Sequence, residues 1–315
     1  MADDGRLLRD VLHDAARRLL ASEALALEAR TDGAEFSEAE AEADREARWL
    51  VAAVLDVAPG ELGRLLSLGY RAPVASQARI EIAAQRRATG EPMAYCVGTA
   101  PFRHLVLNVD RRVLIPRPET EIVVGEALRL TASHPGGIAV DIGTGSGAIA
   151  LSLATEGRYE RVIATDLSDD ALAVAAANAA RVAAARVAAA EPGGAPVEFR
   201  QGADLAPLRG VRARVIVSNP PYIAYSETAA LPRSVRDWEP TVALVAADEG
   251  MARYAAILAG AHEHLEPFGW VVFEVDTRRA QRTAALATTQ GYQEVQVVRD
   301  LTGRERVVLA QYAPA

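Results

Sequence analysis

The chain has 315 residues, half of them hydrophobic, a formal charge of -8 and a pI near 5.3. That length and apolar content can fill more than one packed core, while the acidic balance argues against a protein that holds free nucleic acid through a broad basic surface and leaves only a local basic patch open. All 34 basic residues are arginine, which excludes Schiff-base and lysine general-base chemistry, and the single cysteine, Cys96, excludes an internal disulfide or a cysteine-rich metal site.

The start, Met1-Ala2-Asp3-Asp4-Gly5-Arg6, is acidic and lacks the basic opening and apolar run of a signal peptide, so cytoplasmic residence is the expectation. From Arg6 to about Gly90 apolar residues recur at helical spacing, as in Leu7, Leu8, Val11 and Leu12, then Trp49, Leu50, Ala53 and Val54. This predicts a small helical domain over 1–92. The acidic stretch from Thr31 to Arg48 reads as a solvated helix face or a loop. Val57-Ala58-Pro59-Gly60-Glu61 punctuates the helices, and Thr89-Gly90-Glu91-Pro92 ends the last one. Residues 93–115 form a predicted hairpin linker, with Leu105, Leu107 and Val109 on one face and a turn at Asn108 to Arg111.

A third segment, 116–315, opens with Pro118 and Glu119 ahead of a helix from about Glu119 to Leu130. Strands are predicted at Ile138–Ile142, Arg161–Thr165, Val197–Gln201, Arg214–Ser218, Trp270–Val275, Tyr292–Val298 and Arg306–Ala310. Helices should follow the first, second, fourth and fifth of these. That alternation implies an α/β fold with a largely parallel, doubly wound sheet, its last two strands paired antiparallel at one edge. Ala171 to Ala190 is alanine-rich, but Asn178, Arg181 and Arg186 interrupt it, so it reads as a soluble helix and not as a membrane span. Glu191 to Pro196 reads as a loop.

Two segments carry chemistry. After the first predicted sheet strand comes the glycine turn Gly143-Thr144-Gly145-Ser146-Gly147, which lets backbone bend sharply and approach a ligand. About twenty residues on, Asp166 ends a strand where α/β folds place a carboxylate on ribose hydroxyls; its alternative is a helix cap. Asp204 ends the third strand and can accept from an adenine amino group, with Leu205 against the ring, or can be a solvated loop residue. The turn also reads as Gly143-x-Gly145-x-x-Ala148, a dinucleotide fingerprint, which by itself leaves a dehydrogenase open. The tie is broken by Asn219-Pro220-Pro221-Tyr222 at the end of the fourth strand. Two prolines stiffen the backbone and leave carbonyls free, and the Asn oxygen beside them completes a rigid acceptor set. Such a set holds both hydrogens of an NH2 group, which points to nitrogen methylation with the methyl donor on the glycine turn.

Asn219-Pro220-Pro221-Tyr222 in this position resembles the class I amino methyltransferases that use S-adenosylmethionine. Further segments narrow the resemblance to the protein glutamine-N5 methyltransferases of the HemK type: Gly90 to Tyr95, Phe102, Leu114 to Glu121, Glu239-Pro240 with Ala243-Leu244, and Arg304 to Val308. The resemblance runs from about Trp49 to the end of the chain. It implies a seven-stranded, Rossmann-like class I methyltransferase sheet, with the helical N-terminal domain docking the substrate. The implied substrate is the glutamine of the Gly-Gly-Gln loop in class I peptide chain release factors. S-adenosylmethionine would lie on Gly143, Thr144, Gly145, Ser146, Gly147 and Asp166, with its adenine near Asp204 and Leu205 and Asn219 beside it. Asn219 and the Pro220 carbonyl would take the catalytic role of holding the glutamine amide, with Pro221 alongside and Tyr222 and Phe102 as walls. The chain departs from the family pattern in reading Glu274-Val275-Asp276 where Glu-x-Gly is usual, and in Leu205 where an aromatic is common.

No metal is expected, since His104, His134, His262 and His264 have no ligand spacing coupled to these motifs. Direct nucleic-acid or membrane partners are not expected either. The rival readings are a glutamine methyltransferase of a large-subunit ribosomal protein, a DNA adenine methyltransferase that shares the tetrapeptide, and an inactive adaptor hinted at by Asp276.

Overall fold

Helical spacing in the first ninety residues becomes helices in the computed structural model, which describes residues 5–26, 36–191 and 193–314. The acidic start at Met1–Asp4, the 31–35 part of the acidic stretch, and Pro192 of the predicted loop lie outside the described residues. The chain divides into two compact units, Met1–Thr99 with Leu231–Trp238 and Ala100–Ala230 with Glu239–Ala315.

In the first unit, helices Leu8–Leu20, Phe36–Leu55, Pro59–Ser67 and Val74–Arg87 precede a short helix, Met93–Val97. The i, i+3, i+4 pattern places Leu8, Val11, Leu12, Ala15 and Leu19 in one core with Leu50, Val51, Val54, Ile80 and Ala84. Two bidentate ion pairs join its elements. Arg87 grips Glu46 at 2.8 and 3.0 Å, and Arg86 grips the buried Glu91 at 2.6 and 2.8 Å. Cys96 belongs to the same core.

The second unit begins within the first strand of a two-stranded hairpin, β1 Thr99–Phe102 and β2 Leu105–Asn108. Its turn lies at Arg103-His104, not at Asn108 to Arg111 as the sequence predicts. Arg103 takes a left-handed φ of 53°, its N–H donates to Glu121, and its guanidinium binds Glu156 through Nε and Nη2 at 2.7 and 2.6 Å. These tertiary partners fix a turn that local residue preferences do not announce. The Asp110–Val113 turn exists as well, but follows β2. Leu107 and Val109 are buried, as their alternation requires.

The main sheet contains β3 Ile138–Ile142, β4 Arg161–Asp166, β5 Val197–Gln201, β6 Ala213–Ser218, β7 Leu265–Glu274, β8 Gln293–Arg299 and β9 Glu305–Gln311. Its order is β5-β4-β3-β6-β7-β9-β8, parallel except for β9, which runs antiparallel to both neighbours. Each expected strand is found, and β8 and β9 pair antiparallel with β8 at the edge. Both faces are covered, because the pleat sends alternate residues to opposite cores. Ala139, Val162, Val215 and Val217 pack in the core that includes Val123 of helix Pro118–Thr131 and Leu153 of helix Ala148–Glu156. Val140, Ile163 and Ile216 pack on the other side, with Ile257 of helix Ala252–Ala261 and Ala280 of helix Thr277–Thr289. Among the described residues one helix, Asp169–Ala188, is long and apolar enough by length and composition to cross a membrane. It is the crossover between β4 and β5, and buries Ala171, Val174, Ala175, Asn178 and Val182.

Candidate active site

Strand order reverses between β3 and β6, where Ile142 pairs with Ser218 at the carboxyl ends. Open α/β sheets form their ligand crevice at such a point. The glycine turn leaves β3 there, and Asn219-Pro220-Pro221 leaves β6 beside it. Gly143, Gly145, Asp166, Asp204, Asn219, Pro220 and Pro221 all line one cleft in the second unit.

The glycine turn leaves open space beside two of its glycines and is tightly packed at a third. Gly143 and Gly145 hold φ values of 76° and 54°, and a Cβ on either would meet open space, so the backbone is bare toward the cleft. At Gly147, φ is 85° and a Cβ would press Leu151 and Ala175 at 3.2 and 3.3 Å. Here glycine serves close helix packing. Beneath the turn, fully buried Asp141 accepts from the Thr144 hydroxyl at 2.7 Å and from Ala150 N–H at 3.1 Å. Burial pushes its carboxyl up to about 7, against those hydrogen bonds. Thr144 and Ser146 are buried and outside the cleft lining, so they shape the turn from behind.

Asp166 does not cap a helix. Ser168 does that, accepting from Ala171 N–H, while the Asp166 carboxylate accepts from Gly145 N–H and Ser168 N–H, each at 2.9 Å. It thereby ties the ends of β3 and β4 together and leaves further lone pairs unused by these two bonds. Asp204, at a φ of 48°, pairs with Arg253 at 2.9 Å, and both line the cleft. The neighbouring Leu205 points elsewhere: it packs with the core and its Cδ1 covers Gly260, while Ile257 lines the cleft.

Ser218 anchors the acceptor segment by donating its hydroxyl to Ile142 O at 2.7 Å. Asn219 donates through Nδ2 to Thr120 Oγ1 at 3.3 Å. Tyr222 is absent from the cleft lining; it packs against the core and its phenol is pushed up to about 12, first by burial and then by Glu274. Phe102 is only 1% exposed, inside the core beneath β2 and helix Pro118–Thr131. Phe102 is therefore no cleft wall, because the sheet core takes its apolar surface first, whereas Tyr222 is only partly buried against the core.

The fold also recruits residues to which sequence reading assigns no role. Arg112, Leu114, Pro240, Val242 and Arg253 line the cleft. Leu114 and Pro240 meet because Glu239, buried next to Pro240, accepts from Ile115 N–H and ion-pairs with Arg117. Burial raises the Glu239 carboxyl despite that pair. The two motif segments at 114–121 and 239–244 thus form one strap, a contact hidden in sequence by their separation. Asp276 also gains an account. It caps helix Thr277–Thr289, accepting from Arg279 N–H at 3.0 Å, and holds the Arg279 guanidinium at 2.7 Å. Arg279 then reaches Glu227 at 2.7 Å and Glu249 O at 2.8 Å, fastening the loops that follow Tyr222.

The cleft brings bare glycine backbone, a strand-end carboxylate and the stiff Asn219-Pro220-Pro221 segment into one crevice. Residues 28–98 match the PrmC N-terminal domain and residues 126–233 match the Methyltransferase small domain. The release factor glutamine methyltransferase of Cereibacter sphaeroides is 39% identical over 274 residues, covering 87% of this chain and 93% of that protein. That of Yersinia pestis is 41% identical over 234 residues, covering 74% and 80%. The solved hMettl16 catalytic domain, in complex with MAT2A 3'UTR hairpin 6, has a TM-score of 0.50 at 14% identity over 78% of this chain and 85% of that one, a likeness of fold.

Proposed function

Because the chain belongs to the release factor glutamine methyltransferase family, we propose that it moves a methyl group from S-adenosylmethionine to the N5 side-chain amide nitrogen of the glutamine in the Gly-Gly-Gln motif of class I peptide chain release factors. The seven-stranded order is the class I methyltransferase sheet, with a helical N-terminal region. The observation that carries the reading is the convergence of Gly143, Gly145 and Asp166 with Asn219, Pro220 and Pro221 on one cleft at the switch point.

The residues fit S-adenosylmethionine. Open space at Gly143 and Gly145 admits its amino-acid portion against backbone, Asp166 has lone pairs for ribose hydroxyls, and Asp204 can receive the adenine amino group beside Arg253. When bound, this cofactor supplies a methyl group on positively charged sulfur. The chain's own part is to hold the amide. Asn219 Oδ1 and the Pro220 carbonyl accept its two N–H groups, orient the nitrogen and favour the positive charge that develops on it. Pro220 and Pro221 keep those acceptors still, since their φ angles are fixed. Residues 1–92 would dock the release factor, and the setting would be the cytoplasm.

The test is incubation with labelled S-adenosylmethionine and, separately, a release factor, a large-subunit ribosomal protein and DNA, followed by mass mapping. Methyl on the Gly-Gly-Gln glutamine is expected, with transfer falling by about 100-fold or more in Asn219→Ala while cofactor still binds. Methyl only on another substrate, or full turnover in that variant, refutes the reading.

A further inference from the structure

Two polar side chains behind Asn219 form a chain of hydrogen bonds with it. Glu274, 2% exposed at the end of β7, accepts from the Thr120 hydroxyl at 2.6 Å. Thr120, 5% exposed in the first turn of helix Pro118–Thr131, accepts from Asn219 Nδ2 at 3.3 Å. A hydroxyl carries one proton. Once Thr120 has given it to the Glu274 carboxylate, Thr120 can only accept from Asn219. The Asn219 amide must then turn its NH2 inward, leaving Oδ1 free for the cleft that Asn219 lines. The reversed amide would set two N–H donors against a substrate NH2 that also carries only donors at its hydrogens.

We propose that Glu274 and Thr120 are positioning residues that fix the side-chain amide of Asn219 with its oxygen toward the cleft. This rests on the reading of Asn219 as an acceptor for the substrate amide. The carboxylate form of Glu274 sets the direction of the chain. Burial pushes that carboxyl up to about 7; Glu119 adds to the rise, whereas the Thr120 hydroxyl, Arg306 and Arg117 oppose it. Tyr222 and Tyr254 also face it, and the Tyr254 hydroxyl donates to Glu274 O at 2.9 Å. A protonated Glu274 becomes the donor to Thr120, which frees the Thr120 proton for Asn219 Oδ1 and reverses the amide.

The chain contains three asparagines, Asn108, Asn178 and Asn219. Protein carrying nitrogen-labelled asparagine therefore gives three side-chain NH2 pairs by NMR, and Asn219→Gln identifies the third. The Asn219 pair is expected to shift with pH about a midpoint of about 7, to lose that titration in Glu274→Gln, to be displaced in Thr120→Val, and to return in Thr120→Ser. In transfer to a release factor, Thr120→Val should lower kcat by about tenfold or more, without changing KM for the cofactor, and Thr120→Ser should restore it. An Asn219 pair indifferent to pH and to Thr120→Val, or an unchanged kcat in that variant, overturns the positioning role. If the resonances behave as expected but the unaltered chain methylates no release factor, the positioning stands and the proposed substrate falls.

Discussion

Asn178 is fully buried on the inner face of helix Asp169–Ala188. Its Oδ1 accepts from Asn108 N–H at 2.7 Å, and its Nδ2 donates to Asn108 O at 3.0 Å and Ser146 O at 2.9 Å. One side chain thus ties the end of β2 and the glycine turn to the crossover helix. Asn178→Ala breaks three hydrogen bonds, and at about 1 kcal/mol net for each the loss is about 3 kcal/mol, with the buried Ser146 carbonyl left unpaired. For a unit of this size that corresponds to a fall in Tm of roughly 6–12 °C. Scanning calorimetry measures the loss, and titration calorimetry with S-adenosylmethionine should show weakened binding, because Ser146 belongs to the turn. Asn178→Asp keeps the acceptor for Asn108 N–H but turns a carboxylate oxygen toward two carbonyls, so its loss should be at least as large at pH 8 and should shrink as acid protonates it. A loss under about 1 kcal/mol in both variants, with cofactor affinity unchanged, would refute the assignment of Asn178 as the tie.

Gly250→Ala should disturb the acceptor segment from a distance, since at a φ of 83° its Cβ would lie 1.9 Å from Tyr222 O; kcat is expected to fall by about tenfold or more while cofactor affinity holds, as steady-state kinetics and calorimetry would reveal. Burial raises the Asp141 carboxyl from 3.8 to about 7, so the native state keeps its proton longer, and the contribution of this group to stability is fully present below pH 4 and is lost as pH rises through 7. Asp141→Asn should remove up to about 4 kcal/mol of that decline between pH 4 and pH 8, measured by urea unfolding at each pH; an unchanged slope contradicts the buried ionisation. Cys96, 7% exposed and with burial pushing its thiol up to about 12, should resist a thiol reagent at pH 7 and react only when the helical unit opens; prompt labelling of the native protein counts against that packing.

Local pattern determined most of the elements, because 3.6-residue spacing marks a helix that buries one face and a short apolar run bounded by turn residues marks a strand buried on both. The strands at Ile138–Ile142 and Val197–Gln201 stand where alternation and flanking turns put them. The glycine turn and the Asn-Pro-Pro segment were also legible, since each needs backbone properties that few residue types supply. Tertiary structure decided which of their neighbours face the ligand. Phe102 went into the core, while Leu205 and Tyr222, partly buried, pack against it, because an apolar side chain at the rim of a cleft can as readily bury itself against the sheet. Tertiary structure also supplied the Glu239 strap, the Asn178 tie and the Glu274, Thr120 and Asn219 chain, which join residues 122, 70 and 99 or more positions apart. A hydrogen bond between distant residues leaves no period in the sequence, so only the folded chain reveals which buried polar groups satisfy one another.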